Sequence, residues 1–207
     1  MPDLAGFLAF ALASLALNIV PGADMTFVAT SAARGGVRVG LAAALGIAAG
    51  CFVHIAAAVI GLSALIAASA EAFAVLKWLG AAYLLYMAWG LFRAPAFAEA
   101  TAAPALTAAQ AFRSATLVNV LNPKVGLFFL AFLPQFIYAG SGDASFAILW
   151  LGLSFNLSGT VVNAIVALAA ARAAASFRDR PSLVRAARWL AGTAMAGLAL
   201  QLAFSKR

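Results

Sequence analysis

Apolar residues run along this chain in long unbroken blocks rather than at helical or alternating spacing. The first block spans Leu4 to Ala33 and is interrupted only around Pro21, Gly22 and Asp24. The second, Val39 to Ala70, is 32 residues without an Asp, Glu, Lys or Arg. At about 1.5 Å of rise per residue it is longer than the ~30 Å hydrocarbon core of a bilayer, so it must tilt or protrude. A third block runs from Trp78 to Phe92, and can extend past Lys77 if that side chain snorkels. The fourth, Ser114 to Tyr138, is broken at Asn122-Pro123-Lys124. Gly140-Ser141-Gly142-Asp143 makes a turn, Ala144 to Ala171 is the fifth block, and Trp189 to Ser205 is the sixth. The pattern predicts an all-α polytopic membrane protein of six transmembrane helices, the first and fourth of them broken. It forms a single transmembrane domain: residues 1–92 hold one three-helix half, 93–113 a connector, and 114–207 the second half.

Composition agrees. Hydrophobic residues make up 66% of the 207, and charged residues 9%. Soluble domains average about 45–50% and about 25%. Too little charge is present to cover a water-exposed surface, which excludes a soluble enzyme, a coiled coil, a disordered tail and a disulfide scaffold. A net charge of +7 would suit nucleic acid, but the basic residues sit in the gaps between apolar blocks. There they set orientation instead. The connections after blocks one, three and five carry Arg34, Arg38, Arg93, Arg113, Arg172, Arg178, Arg180, Arg185 and Arg188; the opposite side carries Lys77, Lys206 and Arg207. The Arg-rich loops are therefore expected in the cytoplasm and both termini outside. A re-entrant first block would instead give five spans and an inside N-terminus. Met1-Pro2-Asp3-Leu4 lacks the positive start of a secretory signal, so the first block is read as retained. Trp78, Trp89, Trp150 and Trp189 lie near block ends, as an aromatic belt requires. Cys51 reads as a small core residue.

The two broken blocks share a pattern. One reads Asn18-Ile19-Val20-Pro21-Gly22-Ala23-Asp24, the other Asn119-Val120-Leu121-Asn122-Pro123-Lys124. Proline lacks an N–H and clashes with the preceding turn, so each helix should kink or open. Carbonyls freed in lipid are costly, so such breaks must be buried in protein or line a cavity. Because each half has three spans, the second half enters the membrane from the opposite face. This is the signature of an inverted repeat, whose broken helices meet near the midplane around the substrate. Two ordinary proline kinks are the plainer reading.

Asp24 is the only carboxylate inside an apolar block, and Lys124 the only cation well inside one. Ionisable groups at membrane depth mark ion pairs, substrate routes or proton relays. The two residues suit a static pair holding the breaks together, and equally an amino acid's ammonium and carboxylate. N–H groups freed after each break would add anion donors. The candidate substrate site is therefore Asp24 and Lys124 with Asn18, Pro21, Gly22, Asn119, Asn122 and Pro123 of the breaks. Asn156 joins them; with Asn163 it shares a face of the fifth span and should turn inward. Proton coupling is assigned to Asp24 first and to His54, the only histidine, second. A packed, hydrogen-bonded core histidine is the plainer reading of His54. Tyr83 and Tyr86, three apart on the third span, face either the interior or the belt. Gly46-Ile47-Ala48-Ala49-Gly50 spaces small residues for close helix approach within one chain. No metal site and no cofactor is expected.

On these residues the chain resembles the LysE/RhtB family of amino-acid exporters over nearly its whole length. The resemblance rests on Pro21-Gly22-Ala23-Asp24, where the family has a second proline at Ala23, followed by Gly36, Gly40, Gly46 and Gly50. It rests also on Asn122-Pro123-Lys124, Leu127-Phe128-Phe129, Phe132-Leu133-Pro134-Gln135-Phe136 and Gly80-Ala81-Ala82-Tyr83-Leu84. What it implies is secondary efflux of amino acids or close derivatives across a bacterial inner membrane, driven by the proton gradient. The implied partners are a small amino acid, protons and the lipid bilayer, with no nucleic acid, and the chain is compatible with a homo-oligomer.

Other classes fit less well. An intramembrane protease would need a serine poised on His54, and no nucleophile motif surrounds the serines. A cation exporter of related type would need several oxygen ligands, and only Asp24 lies at depth. A scaffold leaves the charged breaks unexplained, and no phosphate loop marks an ATPase.

Overall fold

The computed structural model describes residues 3–62, 105–137 and 144–173, and single helical positions at 75, 78, 82, 85, 86, 89, 189, 193, 196 and 200. Residues 93–104 of the expected 93–113 connector, most of the third and sixth spans, and the 174–188 basic loop lie outside the described residues. So do Tyr83 and the 140–143 turn. Every described element is helical.

Helix α1 is Leu4–Ile19; Asp3 caps it, its carboxylate accepting from the Gly6 N–H at 2.8 Å. It stops at Val20, whose backbone is extended (φ −63°, ψ 120°), the conformation a following proline imposes. Helix α2 is Ala23–Ala57 and begins after an extended Gly22. It is interrupted at Gly36, the one positive-φ residue among those described (φ 75°, ψ −174°). A Cβ placed on Gly40 would collide with Ala32. Residues eight apart in a straight helix are separated by about 12 Å, so the chain doubles back at Gly36. Only glycine takes this left-handed conformation without strain. The connection expected at Arg34–Arg38 is thus a helical hairpin turn on one glycine.

A π turn, Ala58–Leu62, follows α2. Helix α3, Ala108–Val120, starts within the segment expected as connector. Its start is a capping box: Thr107 Oγ1 accepts from the Gln110 N–H, and Gln110 Oε1 accepts from the Thr107 N–H. The short helix α4, Pro123–Leu127, continues the block after the break. A second π turn, Phe128–Phe132, and a 3-10 turn, Leu133–Phe136, end it. Helix α5, Ala144–Ala173, matches the expected fifth span.

Two described helical stretches, Ala23–Gly61 and Ala144–Arg172, contain segments long and apolar enough to cross a membrane. The α3–α4 block, bent by 44° at its break, makes a third. The 16-residue α1 is shorter than a full span. Six spans were expected; the described residues give two, or three with the bent pair, and leave the inverted repeat as an inference from sequence.

Apolar side chains cover both the inside and the outside of the helices. On α1, Phe10 and Leu17 are fully buried, yet Leu4, Leu8, Leu12 and Ile19 are each more than half exposed. A soluble helix would carry charge on that second face; a helix apolar all round belongs in lipid or in a large core. The four tryptophans sit 47–56% exposed, as belt residues do. Inside, one core gathers phenylalanines (Phe10, Phe128, Phe129, Phe132, Phe136, Phe155) around Leu17, Ile55 and Leu133. The other is mostly alanine, including Ala32, Ala43, Ala111, Ala115 and Ala167, with Val28, Val39 and Ile47. Cys51 is a buried free thiol within the first.

Close approach of α2 and α3 depends on two glycines. A Cβ on Gly46 would overlap the Phe112 carbonyl, and one on Gly50 would lie 2.7 Å from the Thr116 carbonyl. Backbone cannot yield as a side chain can. Gly46→Val is therefore expected to destabilise the protein by about 1–3 kcal/mol or more. The test is its thermal midpoint in detergent against that of Leu12→Val, a change on an exposed face.

Candidate functional site

The break between α1 and α2 frees the Val20 carbonyl, because helical hydrogen bonding stops at Pro21 and restarts from Gly22. That carbonyl accepts a 2.8 Å hydrogen bond from Lys124 Nζ, which arrives from the other break. Lys124 is buried, and its side chain lies across Gly22: a Cβ there would stand 3.4 Å from Lys124 Cδ and 3.5 Å from Nζ. At the second break Asn122 caps α4, its side-chain oxygen accepting from the Lys124 N–H at 3.0 Å. Pro123 is the first residue of the helix, where its missing N–H costs nothing.

A second bond runs in the same sense. Asn119 Nδ2, just ahead of the second break, donates to Asp24 Oδ2, just after the first, at 2.8 Å. The two breaks are therefore braced twice: the second supplies both donors, Lys124 Nζ and Asn119 Nδ2, and the first both acceptors, Val20 O and Asp24 Oδ2. Asp24 and Lys124 do not form the direct ion pair that was one expectation; among the described residues neither makes an ion pair within 4.0 Å. The physical reason is that both charged groups find neutral partners which the interruptions themselves provide. A carbonyl without its helical N–H holds the ammonium, and an amide holds the carboxylate.

Around this brace stand the remaining site residues. His54 Nε2 lies 2.8 Å from the Asn119 carbonyl, so that nitrogen carries a proton and donates it. Its ring stacks on Phe129, with centroids 6.4 Å apart. Asn119 thereby touches Asp24 through its side chain and His54 through its backbone. Asn18 turns to α5, Nδ2 donating to Ser158 Oγ at 3.0 Å and to the Phe155 carbonyl at 3.3 Å. Asn156 ties α5 to α2 by donating to the Ala48 carbonyl at 3.2 Å. It is buried, as expected of an inward amide, as is Asn163.

Between the breaks lies a cavity of about 20 Å³, lined by Asn18, Val20, Asp24, Met25, Lys124, Val125, Phe155 and Asn163. That volume holds about one water molecule, so this conformation is closed to anything the size of an amino acid. Asn18, Asp24 and Lys124 of the expected set line it; Asn119 and Asn122 support it from behind, and Asn156 serves packing between helices. Met25, Val125 and Phe155 were not picked out by the sequence reading. Their signal was spacing: each is one residue after a charge or on the Asn156 turn of α5. Three buried polar atoms at the breaks have no hydrogen-bond partner: Asp24 Oδ1, Asn119 Oδ1 and Asn122 Nδ2. Unsatisfied buried groups are costly and rare. Here they cluster where two interrupted helices face each other. Among the described residues no group of three or more His, Cys, Asp or Glu gathers as a metal site would require.

A family model described as LysE type translocator matches residues 15–206. The chain is 33% identical to an uncharacterized membrane protein of Pseudomonas aeruginosa, over 98% of both chains. It is 35% identical to a homoserine/homoserine lactone efflux protein of Salmonella typhimurium, over 62% of this chain and 63% of that one. To a leucine efflux protein of Klebsiella pneumoniae it is 28% identical, over 95% of this chain and 94% of the other. No solved structure matches the chain. With a match that leaves out only the first fourteen residues and the last, this chain belongs to the LysE type translocator family.

Proposed function

We propose that the protein is a secondary active exporter of amino acids or close derivatives, working across the bacterial inner membrane by exchange for protons. The observation that carries this reading is the cavity between the two breaks, lined by one carboxylate, one ammonium and the apolar residues Val20, Val125 and Phe155. A zwitterion presents the complementary pair of charges. Asp24 takes the substrate ammonium or a proton in turn, which couples the two. Lys124 takes the substrate carboxylate. Asn18 and Asn119 orient the groups, Pro21, Gly22, Asn122 and Pro123 keep the helices open, and His54 completes the proton route behind Asn119. The efflux proteins among the relatives support the substrate class.

Transport follows by alternating access, with two inverted three-helix halves rocking about the brace. Substrate enters from the Arg-rich, cytoplasmic side. The test is a panel of labelled amino acids offered to inverted membrane vesicles with and without the protein. Uptake of at least one neutral amino acid, abolished by a protonophore, is the expected result. Uptake of none of them, from vesicles shown to contain folded protein, would overturn the reading. Persistence with the protonophore present would remove the proton from it.

A further inference from the structure

The ammonium of Lys124 does something unusual for a buried charge: it makes no ion pair with Asp24 within 4.0 Å and sits instead on a backbone carbonyl. Val20 O is a strong acceptor with no helical partner, held open by Pro21. Asp24 Oδ1 is buried and unpartnered, and Asp24, Val20 and Lys124 line the same cavity. One negative group and one free carbonyl facing a cavity that admits only about one water make a socket for a group bearing N–H donors and positive charge. In this closed conformation the chain's own lysine fills it.

We propose that Val20 O and Asp24 form an ammonium subsite specific for N–H-bearing amines, and that Lys124 is its tethered occupant in the empty carrier. The arriving substrate ammonium displaces Lys124 from the Val20 carbonyl. The freed lysine then meets the substrate carboxylate. One residue thus closes the site when it is empty and recognises the other end of the substrate when it is full. A quaternary ammonium has no N–H to give the carbonyl, so it does not compete. The inference rests on the breaks being the substrate site, but it is read out by binding and needs no transport.

Lys124→Ala removes Cγ, Cδ, Cε and Nζ, which is the skeleton of n-propylammonium. The purified variant in detergent is the test, with n-propylammonium chloride as the probe, tetramethylammonium chloride as the control and the thermal midpoint as the readout. At roughly ten times its dissociation constant the primary amine should raise the midpoint of Lys124→Ala by about 3–6 °C. Tetramethylammonium should leave it unchanged, and adding Asp24→Asn should remove the response. Lys124→Gln, whose amide can still donate to Val20 O, should respond weakly or not at all. Lys124→Ser reports the same vacancy if the alanine variant does not extract folded. No response in either small variant, an equal response to tetramethylammonium, or an equal response in the unaltered protein would each overturn the proposal. Amine binding without amino-acid transport would leave the subsite standing and sink the exporter reading; transport without amine binding would do the reverse.

Discussion

Asp24→Asn should reduce proton-driven export to background while leaving the protein folded. The substitution is nearly isosteric, and the asparagine oxygen can still accept from Asn119 Nδ2, so the 2.8 Å bond across the breaks persists. What disappears is the charge. Removing a half-buried carboxylate that has no ion-pair partner relieves part of its desolvation, so stability should change by no more than about 1 kcal/mol in either direction. Transport is another matter. A neutral amide neither pairs with a substrate ammonium nor releases a proton on the opposite side. Truncating one member of a buried charged contact costs about 2–5 kcal/mol, which at about 1.4 kcal/mol per decade is a loss of roughly 30-fold to several thousand-fold. Flux in inverted vesicles, set beside thermal midpoints of the same preparations, separates the two effects. Export above one tenth of the unaltered rate would mean that Asp24 is no more than a structural acceptor for Asn119.

That the breaks could be read from sequence, while the brace between them could not, follows from what each depends on. Pro21 and Pro123 interrupt a helix by a missing N–H and a steric clash, both properties of one residue in its own strand of chain. Asp24 and Lys124 stood out because an apolar block tolerates no charge without reason. Their partners were hidden for a different cause. Lys124 bonds the carbonyl of Val20, and every residue has a carbonyl; nothing in the letter Val says that this one is unpaired and within reach. A direct pair of opposite charges was one of two open readings, and it does not form because a carbonyl freed by Pro21 takes the ammonium and the Asn119 amide takes the carboxylate. Gly36 was marked as one of several spaced glycines, yet only the structure singles it out as the positive-φ hinge of a hairpin. The start of α3 was legible and went unread: Thr107-Ala108-Ala109-Gln110 is a capping box sitting in what composition suggested was a connector. The π turns at Ala58–Leu62 and Phe128–Phe132 carry no local signal in the residues that form them.

Lys124→Met is the other substitution with a large expected effect, and its informative feature is selectivity rather than rate. Methionine keeps most of the side-chain volume beside Gly22 but cannot donate to Val20 O. The orphaned carbonyl costs about 1–3 kcal/mol, offset in part because an ammonium no longer has to be desolvated. The folded protein should therefore survive. In the unaltered carrier an amino acid should be preferred over the amine obtained by removing its carboxylate, because only the former engages Lys124 once it has swung off the carbonyl. Loss of that contact should raise the half-saturating concentration of the amino acid by about 30-fold or more. The half-saturating concentration of the matching amine should not rise, because the ammonium that competes with it for Val20 O is gone. Competition by amino acid and amine against a labelled substrate, measured on both proteins, gives the ratio directly. If Lys124 only staples the breaks together, both ligands should weaken by the same factor, because a distorted cavity does not distinguish one end of its guest from the other. A preference that collapses for the carboxylate alone identifies the lysine as the group that reads it, and leaves Asp24 as the group that reads the ammonium.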